Sequence, residues 1–453
     1  MSEATGDKIE ISKAISNLSD LIACKGVSDS GEGIQESVQF LKQFLRSHLN
    51  AEVTIVKAEN DGNPIILATV KGIKKDAIMF YGHYDVMDPG DLNKWDSDPF
   101  KLTRRNGKLY ARGAGDNRGQ LMASIQGVEQ YLNSIEGMPP QTIMFFIEGE
   151  EEQGSRNLFA TVAKHTDKLK NVELVLAVDG SISSSGKHVL RLGCRGLLGF
   201  HVQIQTGSHS NHSGNTGNIM SNAFIEFQKI LNQIYDFDTD KVLLPHFYDG
   251  VKEPTTQQMD WIDKLPFNVE KINKSNGFKM KAMTKQDYYA NLMFRPTFNV
   301  SGIMSGYTGQ GVKTIVPNQL TAKVDFRLVG EQNVTEIEKG IKQLFKPYVD
   351  SGLLTFTFYH QIPPSTSEIN LDTIHLLQKS VKNIGEDLVV EPIMPGAVPN
   401  YVWTELIHKP VITLPLANFD QNNHSFNENI SVKAYESGIN IVSATTQALS
   451  ERG

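Results

Sequence analysis

Histidine and carboxylate side chains recur in this sequence at places where a metal ion could be bound. His83 and Asp85 follow the apolar run AIMFYG, Asp179 follows ELVLAV, and His424 stands near the C-terminus in NNHSFNE. One ring nitrogen of a histidine can bind metal while a neighbouring carboxylate orients the ring through the other nitrogen. Taken alone, a histidine beside an aspartate at a strand end is more often a structural hydrogen-bonding pair.

Two further clusters add carboxylates. Asp116 lies in the glycine-rich segment RGAGDNRG, which lacks the remaining glycines of a dinucleotide-binding motif and whose central aspartate would repel phosphate. Glu150, Glu151 and Glu152 follow the apolar run TIMFFI, and carboxylates crowded at a strand end are costly without a cation. A solvated turn is the alternative for that cluster alone. Taken together, the nitrogen and oxygen ligands suit zinc, cobalt or manganese.

The elements that must position these side chains indicate an α/β domain with a second domain inserted into it. Short apolar runs such as VTIV, IILATV and TIMFFI alternate with helix-like stretches, and open α/β sheets bind ligands outside the carboxyl ends of their strands. Asn106-Gly107 predicts a hairpin. An α+β pattern begins after about residue 193, and the α/β pattern returns near 365. We therefore predict a catalytic domain over residues 1–195 and 365–453, and an inserted domain over 196–364.

Composition limits the class of protein. The chain of 453 residues is long enough for two domains, and its net charge of -7 argues against nucleic-acid binding. Two cysteines are too few for a disulfide framework. The N-terminal sequence lacks the pattern of a signal peptide, and no apolar run approaches the roughly 20 residues of a membrane span. We expect a cytoplasmic enzyme.

Five motifs in the same order resemble those of the M20 family of metallopeptidases, which includes carnosinase-like dipeptidases, carboxypeptidase G2, acetylornithine deacetylase and succinyl-diaminopimelate desuccinylase. The motifs are GHYDV, RGAGDNRG, EGEEEQGS, the aspartate at position 179 and NNHSFNE. The resemblance runs nearly end to end. It implies a mixed-sheet catalytic domain of the zinc-peptidase type with an inserted α+β lid or dimerisation domain.

The resemblance also implies a metal centre. It implies two divalent ions, Zn²⁺ or alternatively Mn²⁺ or Co²⁺, that activate a shared water and polarise the scissile carbonyl. Asp85 would orient a ligand histidine, Glu151 would be the general base, and the Asp116–Asn117 peptide bond would be cis. The implied ligands are His83, Asp116 and Asp179 for one ion, and Asp116, Glu152 and His424 for the other.

The inserted segment resembles the carnosinase-like branch through NHSGN and FNVSGIMSGYTGQGVKTIVP. His212 would act on the carbonyl oxygen in the partner subunit's site, which implies a homodimer. Thr314 and Arg327 match positions that hold the carboxylate end of the substrate. Near Gly396 the branch usually has a glycine-serine segment that touches substrate, but Ala397 stands here, so carnosinase-type specificity does not follow.

The expected function is a metal-dependent exopeptidase that cleaves dipeptides or short peptides. An N-acyl amino-acid deacylase would use the same metal chemistry, and a non-catalytic metal-binding homologue is disfavoured because every ligand position and Glu151 are filled. The remaining histidines, His360 among them, have no ligand-like neighbours and are assigned to the surface or to packing.

Overall fold

The apolar runs of the first and last parts of the chain assemble into one mixed sheet of eight strands. The computed structural model describes residues 9–452. The strands of the N-terminal part are β1 (Glu52–Val56), β2 (Ile65–Val70), β3 (Lys74–His83), β4 (Thr103–Arg105), β5 (Lys108–Tyr110), β6 (Gln141–Glu148), β7 (Val172–Ala177), β8 (His188–Arg191) and β9 (Gly193–Cys194). Its helices are α1 (Ile11–Ala23), α2 (Ile34–Leu49), α3 (Arg118–Asn133), α4 (Leu158–Lys164) and α5 (Thr166–Leu169).

The second sheet is antiparallel and lies within the middle of the chain. Its segment contains β10 (Gly196–Gln205), β11 (Asn211–His212), β12 (Tyr235–Asp236), β13 (Lys241–Val242), β14 (Thr297–Ser305), β15 (Ile315–Val316), β16 (Gln319–Leu328) and β17 (Leu354–Ile362). The helices are α6 (Ser213–Thr216), α7 (Ala223–Ile234), α8 (Thr256–Ile262), α9 (Val269–Asn276), α10 (Lys285–Phe294) and α11 (Val334–Asp350). Strands β14, β16, β10 and β17 form the sheet in that order.

The C-terminal part returns to the first sheet. It consists of β18 (Ser365–Thr366), α12 (Leu371–Asn383), β19 (Leu388–Glu391), β20 (Val411–Thr413), β21 (Asn429–Ser431) and α13 (Val432–Ser450). The strand order of the large sheet is β1-β2-β6-β3-β7-β20-β8-β19, so strands from both sides of the middle segment interleave. This interleaving is consistent with insertion, and the boundaries at 196 and 364 remain a prediction.

Alternation along the strands buries both faces of the large sheet. In β6, Ile143, Phe145 and Ile147 enter the core that α1, α2, α3 and α13 cover. Met144 and Phe146 point to the opposite face, where they pack with α4 and Trp403. A sheet covered on both faces exposes ligands only at its strand ends, which is where the polar motifs lie.

Two local predictions are confirmed. Asn106 and Gly107 have positive φ and join β4 to β5 as an antiparallel hairpin. The Asp116–Asn117 peptide bond is cis. The polar stretch from Asp249 to Lys285 is mostly loop and contains the two short helices α8 and α9. Apolar residues in and after these helices pack with Ile393 beside β19, a partner that local polarity does not reveal. Across residues 9–452, no helix is both long and apolar enough to cross a membrane.

Candidate functional site

Three parallel strands deliver the site to one edge of the large sheet. Strand β3 pairs in parallel with both β6 and β7, and His83 is in register with Glu148. The carboxyl ends of these strands therefore lie side by side. His83 ends β3, the glutamate cluster follows β6, and Asp179 lies two residues after β7. Asn117 ties the glycine-rich loop to this edge, because its Nδ2 donates to the carbonyl oxygen of Val178 at 2.7 Å.

The first group of ligand atoms comes from His83, Asp116 and Asp179. The Nε2 atom of His83 lies 3.3 Å from Oδ1 of Asp116 and 4.0 Å from Oδ2 of Asp179. His83 is fully buried, and its Nε2 has no hydrogen-bond partner among the residues that the structure describes. A buried ring nitrogen that faces two carboxylates without a hydrogen bond is what a metal ligand would present.

Asp116 also belongs to a second group, with Glu152 and His424. Its Oδ2 atom lies 3.2 Å from Nε2 of His424, which is 3.0 Å from Oε2 of Glu152. Each carboxylate oxygen of Asp116 thus faces a different histidine. The donor set fits two divalent ions that share one carboxylate, since both groups combine imidazole nitrogen with carboxylate oxygen.

The charges of this cluster are strongly coupled. Burial raises the pKa of Glu152 to about 7 and that of Asp179 to about 6, and the charge of Asp116 adds to both shifts. Burial also acts to raise the pKa of Asp116, but the neighbouring imidazoles of His424 and His83 hold it well below its usual range. Hydrogen bonds to Asp116 and Glu152 raise the pKa of His424 to about 11.

Glu151 and Glu150 point in different directions although they are adjacent. Oε2 of Glu151 lies 3.9 Å from Nε2 of His83, and burial raises its pKa well above the usual range. Glu150 is only 3% exposed and accepts hydrogen bonds from Nδ2 of Asn157 at 3.1 and 2.9 Å, and from Arg156. Of these two glutamates, Glu151 faces the ligand cluster and Glu150 faces away from it.

Asp85 joins the histidine to the glutamate turn. Nδ1 of His83 lies 3.0 Å from the backbone oxygen of Asp85 and 3.3 Å from its Oδ1. The same carboxylate accepts hydrogen bonds from the backbone N–H of Glu151 at 3.3 Å and of Glu152 at 3.1 Å, and from Ser28 at 2.7 Å. Asp85 therefore supports both the predicted ligand and the turn over Glu151–Gln153.

Glu428 is a supporting residue that the sequence analysis did not single out. It is fully buried, and its Oε1 accepts hydrogen bonds from the backbone N–H of Gly115 at 2.9 Å and of Asp116 at 2.8 Å. Its Oε2 accepts from Nη1 of Arg112 at 2.7 Å. The only signal in the sequence was its place at the end of the motif NNHSFNE. Glu428 anchors the backbone of the aspartate shared by both ligand groups.

The remaining predicted site residues lie outside this cluster. His212 is exposed, and its described hydrogen bonds all stay within the middle segment, to Gly214, Thr216 and Oγ1 of Thr314 at 3.1 Å from its Nε2. Arg327 lies on β16 in register with Leu197. The carbonyl oxygen of Gly396 accepts a hydrogen bond from the backbone N–H of Arg195 at 3.1 Å.

Comparison with known proteins identifies the family. Residues 79–448 match Peptidase family M20/M25/M40. The chain belongs to this family. As an M20 member it is a metallopeptidase, a hydrolase that acts on amide bonds, and the predicted family and fold class are confirmed.

Several M20 relatives match most of the chain. The chain is 29% identical to Beta-Ala-His dipeptidase from Homo sapiens over 84% of its own length and 76% of the relative. It is 25% identical to Cys-Gly metallodipeptidase DUG1 from Saccharomyces cerevisiae, over 86% and 82%. The structure of the M20 family metallo-carboxypeptidase Sso-CP2 from Sulfolobus solfataricus superposes with a TM-score of 0.88 at 29% identity, covering 97% of this chain and 99% of that one.

Replacing Glu428 by glutamine is expected to weaken metal binding without removing any predicted ligand. Glutamine would lose the negative charge that pairs with Arg112. Its amide nitrogen could not accept a hydrogen bond as the carboxylate oxygen does. Changes of this kind behind a ligand cost about 10- to 100-fold in metal affinity. Titration with zinc in a competing chelator measures the loss. Asp420→Asn is the control, because its pair with Lys108 is largely exposed; equal affinities for Glu428→Gln and wild type would contradict the supporting role.

Proposed function

We propose that this M20 member is a dipeptidase that binds two divalent metal ions, with zinc as the first candidate. The observation that carries the proposal is the sharing of Asp116 between two groups of ligand atoms, one oxygen facing His83 and the other facing His424. The proposed ligands are His83, Asp116 and Asp179 for one ion, and Asp116, Glu152 and His424 for the other. The names of the relatives, two of which are dipeptidases, support the choice of substrate.

The chain supplies a proton carrier beside the proposed ions. Two ions bound by these ligands would polarise the scissile carbonyl and make the attacking water more acidic. Oε2 of Glu151 accepts the proton of that water, and the same atom then delivers it to the leaving amine. Burial raises the pKa of Glu151, which makes its carboxylate a stronger base toward that water. Hydrogen bonds from the backbone N–H groups of Glu151 and Glu152 to Asp85 keep the turn in place.

Residues outside the cluster would bind the carboxylate end of the substrate and the oxygen of its scissile carbonyl. A guanidinium such as that of Arg327 matches a carboxylate in shape and charge, and Thr314 adds a hydroxyl. We propose that His212 binds the carbonyl oxygen in the site of a second copy, because its exposed ring is held within its own segment by Gly214 and Thr314. The segment at Gly396 completes the proposed pocket.

A substrate panel tests the proposed function. Metal-reconstituted protein would be assayed against dipeptides, tripeptides, and N-acetyl and N-succinyl amino acids, with release of the free amino acid as the readout. Turnover of dipeptides supports the proposal. Turnover of acyl substrates alone would replace it with an N-acyl amino-acid deacylase, and turnover of neither, in protein that holds its ions, would leave a non-catalytic homologue.

Mixing two inactive variants tests the shared site. We expect His212→Ala and Glu151→Gln each to be inactive, while equal amounts exchanged into mixed dimers recover about one quarter of the wild-type activity. The recovery arises because a mixed dimer has one site with an intact glutamate and an intact partner histidine. Glu151→Gln mixed with itself is the control. Absence of recovery, with exchange verified by native mass spectrometry of tagged subunits, would exclude action in trans.

A further inference from the structure

A polar face of the antiparallel sheet carries basic side chains toward the turn Glu151–Gln153, called here the catalytic turn. Leu197 of β10 is in register with Arg327 on one side and with Ile362 on the other, and Gly199 is in register with His360. Arg327 pairs with Leu197, and His360 pairs with Gly199 across a bulge in β17, so both lie on the face opposite the phenylalanine-rich core of this sheet. The two basic residues therefore flank the same strand on its polar side.

His360 places this face beside the metal cluster. Its Nδ1 atom lies 3.6 Å from the position that a Cβ atom would take at Gly154. Gly154 directly follows the turn Glu151–Gln153, which carries the proposed general base and one proposed ligand. His360, which has no ligand-like neighbours in the sequence, thus lies against the turn that carries Glu151.

Arg195 adds a second guanidinium at the start of the same strand. It is only 8% exposed, and its Nε donates to the carbonyl oxygen of Pro395 at 2.7 Å, while its backbone N–H donates to that of Gly396 at 3.1 Å. Its two Nη groups donate to no acceptor among residues 9–452. Arg195 thus lies against the segment proposed to touch substrate, with the paired donors of its guanidinium uncommitted.

Carboxylates of the chain do not neutralise these arginines. Within the described part of the chain, neither Arg195 nor Arg327 forms an ion pair, and the nearby Asp325 is instead hydrogen-bonded by Nδ2 of Asn299 at 2.9 Å. Burial, followed by the charge of Arg327, lowers the pKa of Arg195 to about 10 and also lowers that of His360. Two neighbouring guanidinium groups without an ion-pair partner among the described residues leave both forks available to an anionic ligand.

We propose that Arg195 and Arg327, bordered by His360, form a subsite for the C-terminal residue of the substrate, and that this subsite selects an acidic side chain. The α-carboxylate of the substrate matches one guanidinium. A second carboxylate, from a C-terminal glutamate or aspartate, matches the other through a bidentate pair. The preferred substrates are therefore dipeptides that end in an acidic residue. This inference rests on the proposed dipeptidase function and specifies its substrate class.

Isosteric substrate pairs test the subsite on the metal-loaded enzyme. For wild type we expect kcat/KM for Ala-Glu to exceed that for Ala-Gln by at least about tenfold, as charged hydrogen bonds allow. In Arg195→Gln the ratio should fall to near one, mainly through KM for Ala-Glu, whereas Arg195→Lys should keep part of the preference. A ratio near one in wild type, or an unchanged ratio in Arg195→Gln, would overturn the proposal.

Arg191→Gln is the matched control. Arg191 is also 8% exposed, but it is paired with Glu391, so its replacement perturbs a buried arginine whose guanidinium already has an anionic partner. An equal fall of the ratio in this variant would assign the effect to general destabilisation and overturn the proposal. We expect Arg191→Gln to keep the wild-type ratio of kcat/KM between Ala-Glu and Ala-Gln, which would support the proposed subsite.

Product binding separates failure of the subsite from failure of the proposed function. If no dipeptide is cleaved, the dipeptidase proposal fails, and calorimetry with L-glutamate and L-glutamine on the same protein still decides the subsite. Tighter binding of L-glutamate by about tenfold, lost in Arg195→Gln, supports the subsite. Equal affinities for the two amino acids would refute it.

Discussion

Replacing Glu151 by glutamine is expected to leave both metal ions bound and to lower kcat by about 10²- to 10⁴-fold, the contribution of a positioned general base. Glutamine has nearly the same shape, and its backbone N–H can still donate to Asp85. It cannot accept the proton of the attacking water or return a proton to the amine. Steady-state kinetics on the substrate that the panel identifies, together with metal analysis of the same sample, measures both parts of the prediction.

Glu150→Gln is the matched control for this experiment. The substitution is chemically identical and only one residue away, but Glu150 turns toward Asn157 and Arg156 rather than toward the ligand cluster. We expect kcat within about threefold of wild type, with at most a modest loss of stability. Similar kcat losses in the two variants would assign the effect to the turn as a whole. Near wild-type turnover in Glu151→Gln would remove the proton-transfer role.

Replacing Asp116 by asparagine is expected to remove both ions at once. Asp116 is the only residue shared by the two ligand groups, and a neutral amide would not bridge two cations with two anionic oxygens. We expect metal content to fall from about two ions per chain to near none, and activity to fall by more than about 10⁴-fold, because the loss exceeds that of a single proton carrier. Inductively coupled plasma mass spectrometry after dialysis measures the ions, and circular dichroism checks that the chain remains folded.

Variants of ligands that belong to only one group are the comparison for Asp116→Asn. Asp179→Asn and Glu152→Gln each change one ligand group, so each is expected to retain about one ion per chain. If Asp116→Asn retains about one ion per chain, as these two variants should, the carboxylate of Asp116 is not shared. The backbone of residue 116 should remain anchored in the variant, because Glu428 accepts its N–H.

The sequence alone was sufficient for the fold class and for the positions of the motifs. Apolar runs such as TIMFFI and ELVLAV became β6 and β7, and the residues after them lie at one sheet edge because parallel strands share a direction. The sequence carries no clear signal for α8 and α9, which are short and bury few residues, because periodicity is weak in short, exposed helices.

The side-chain directions within the site could not be deduced from spacing. Three successive glutamates have no local feature that separates Glu151, which faces His83, from Glu150, which is held by Asn157. The separation depends on the turn after β6 and on its hydrogen bonds to Asp85, a residue about 66 positions earlier in the chain. Glu428 escaped notice for the same reason, because its partners Gly115 and Asp116 lie more than 300 residues away.

The sequence by itself determined the family, the two-part α/β and α+β architecture, and the types of side chain available to bind metal, because these depend on residue chemistry and on local periodicity. Tertiary structure alone decided that each oxygen of Asp116 faces a different histidine. It also decided that His360 lies against the turn after β6, near Arg195 and Arg327, which form no ion pair with the described residues. Those arrangements depend on the register between strands that are distant in the chain, and register is a property of the packed sheets rather than of any local segment.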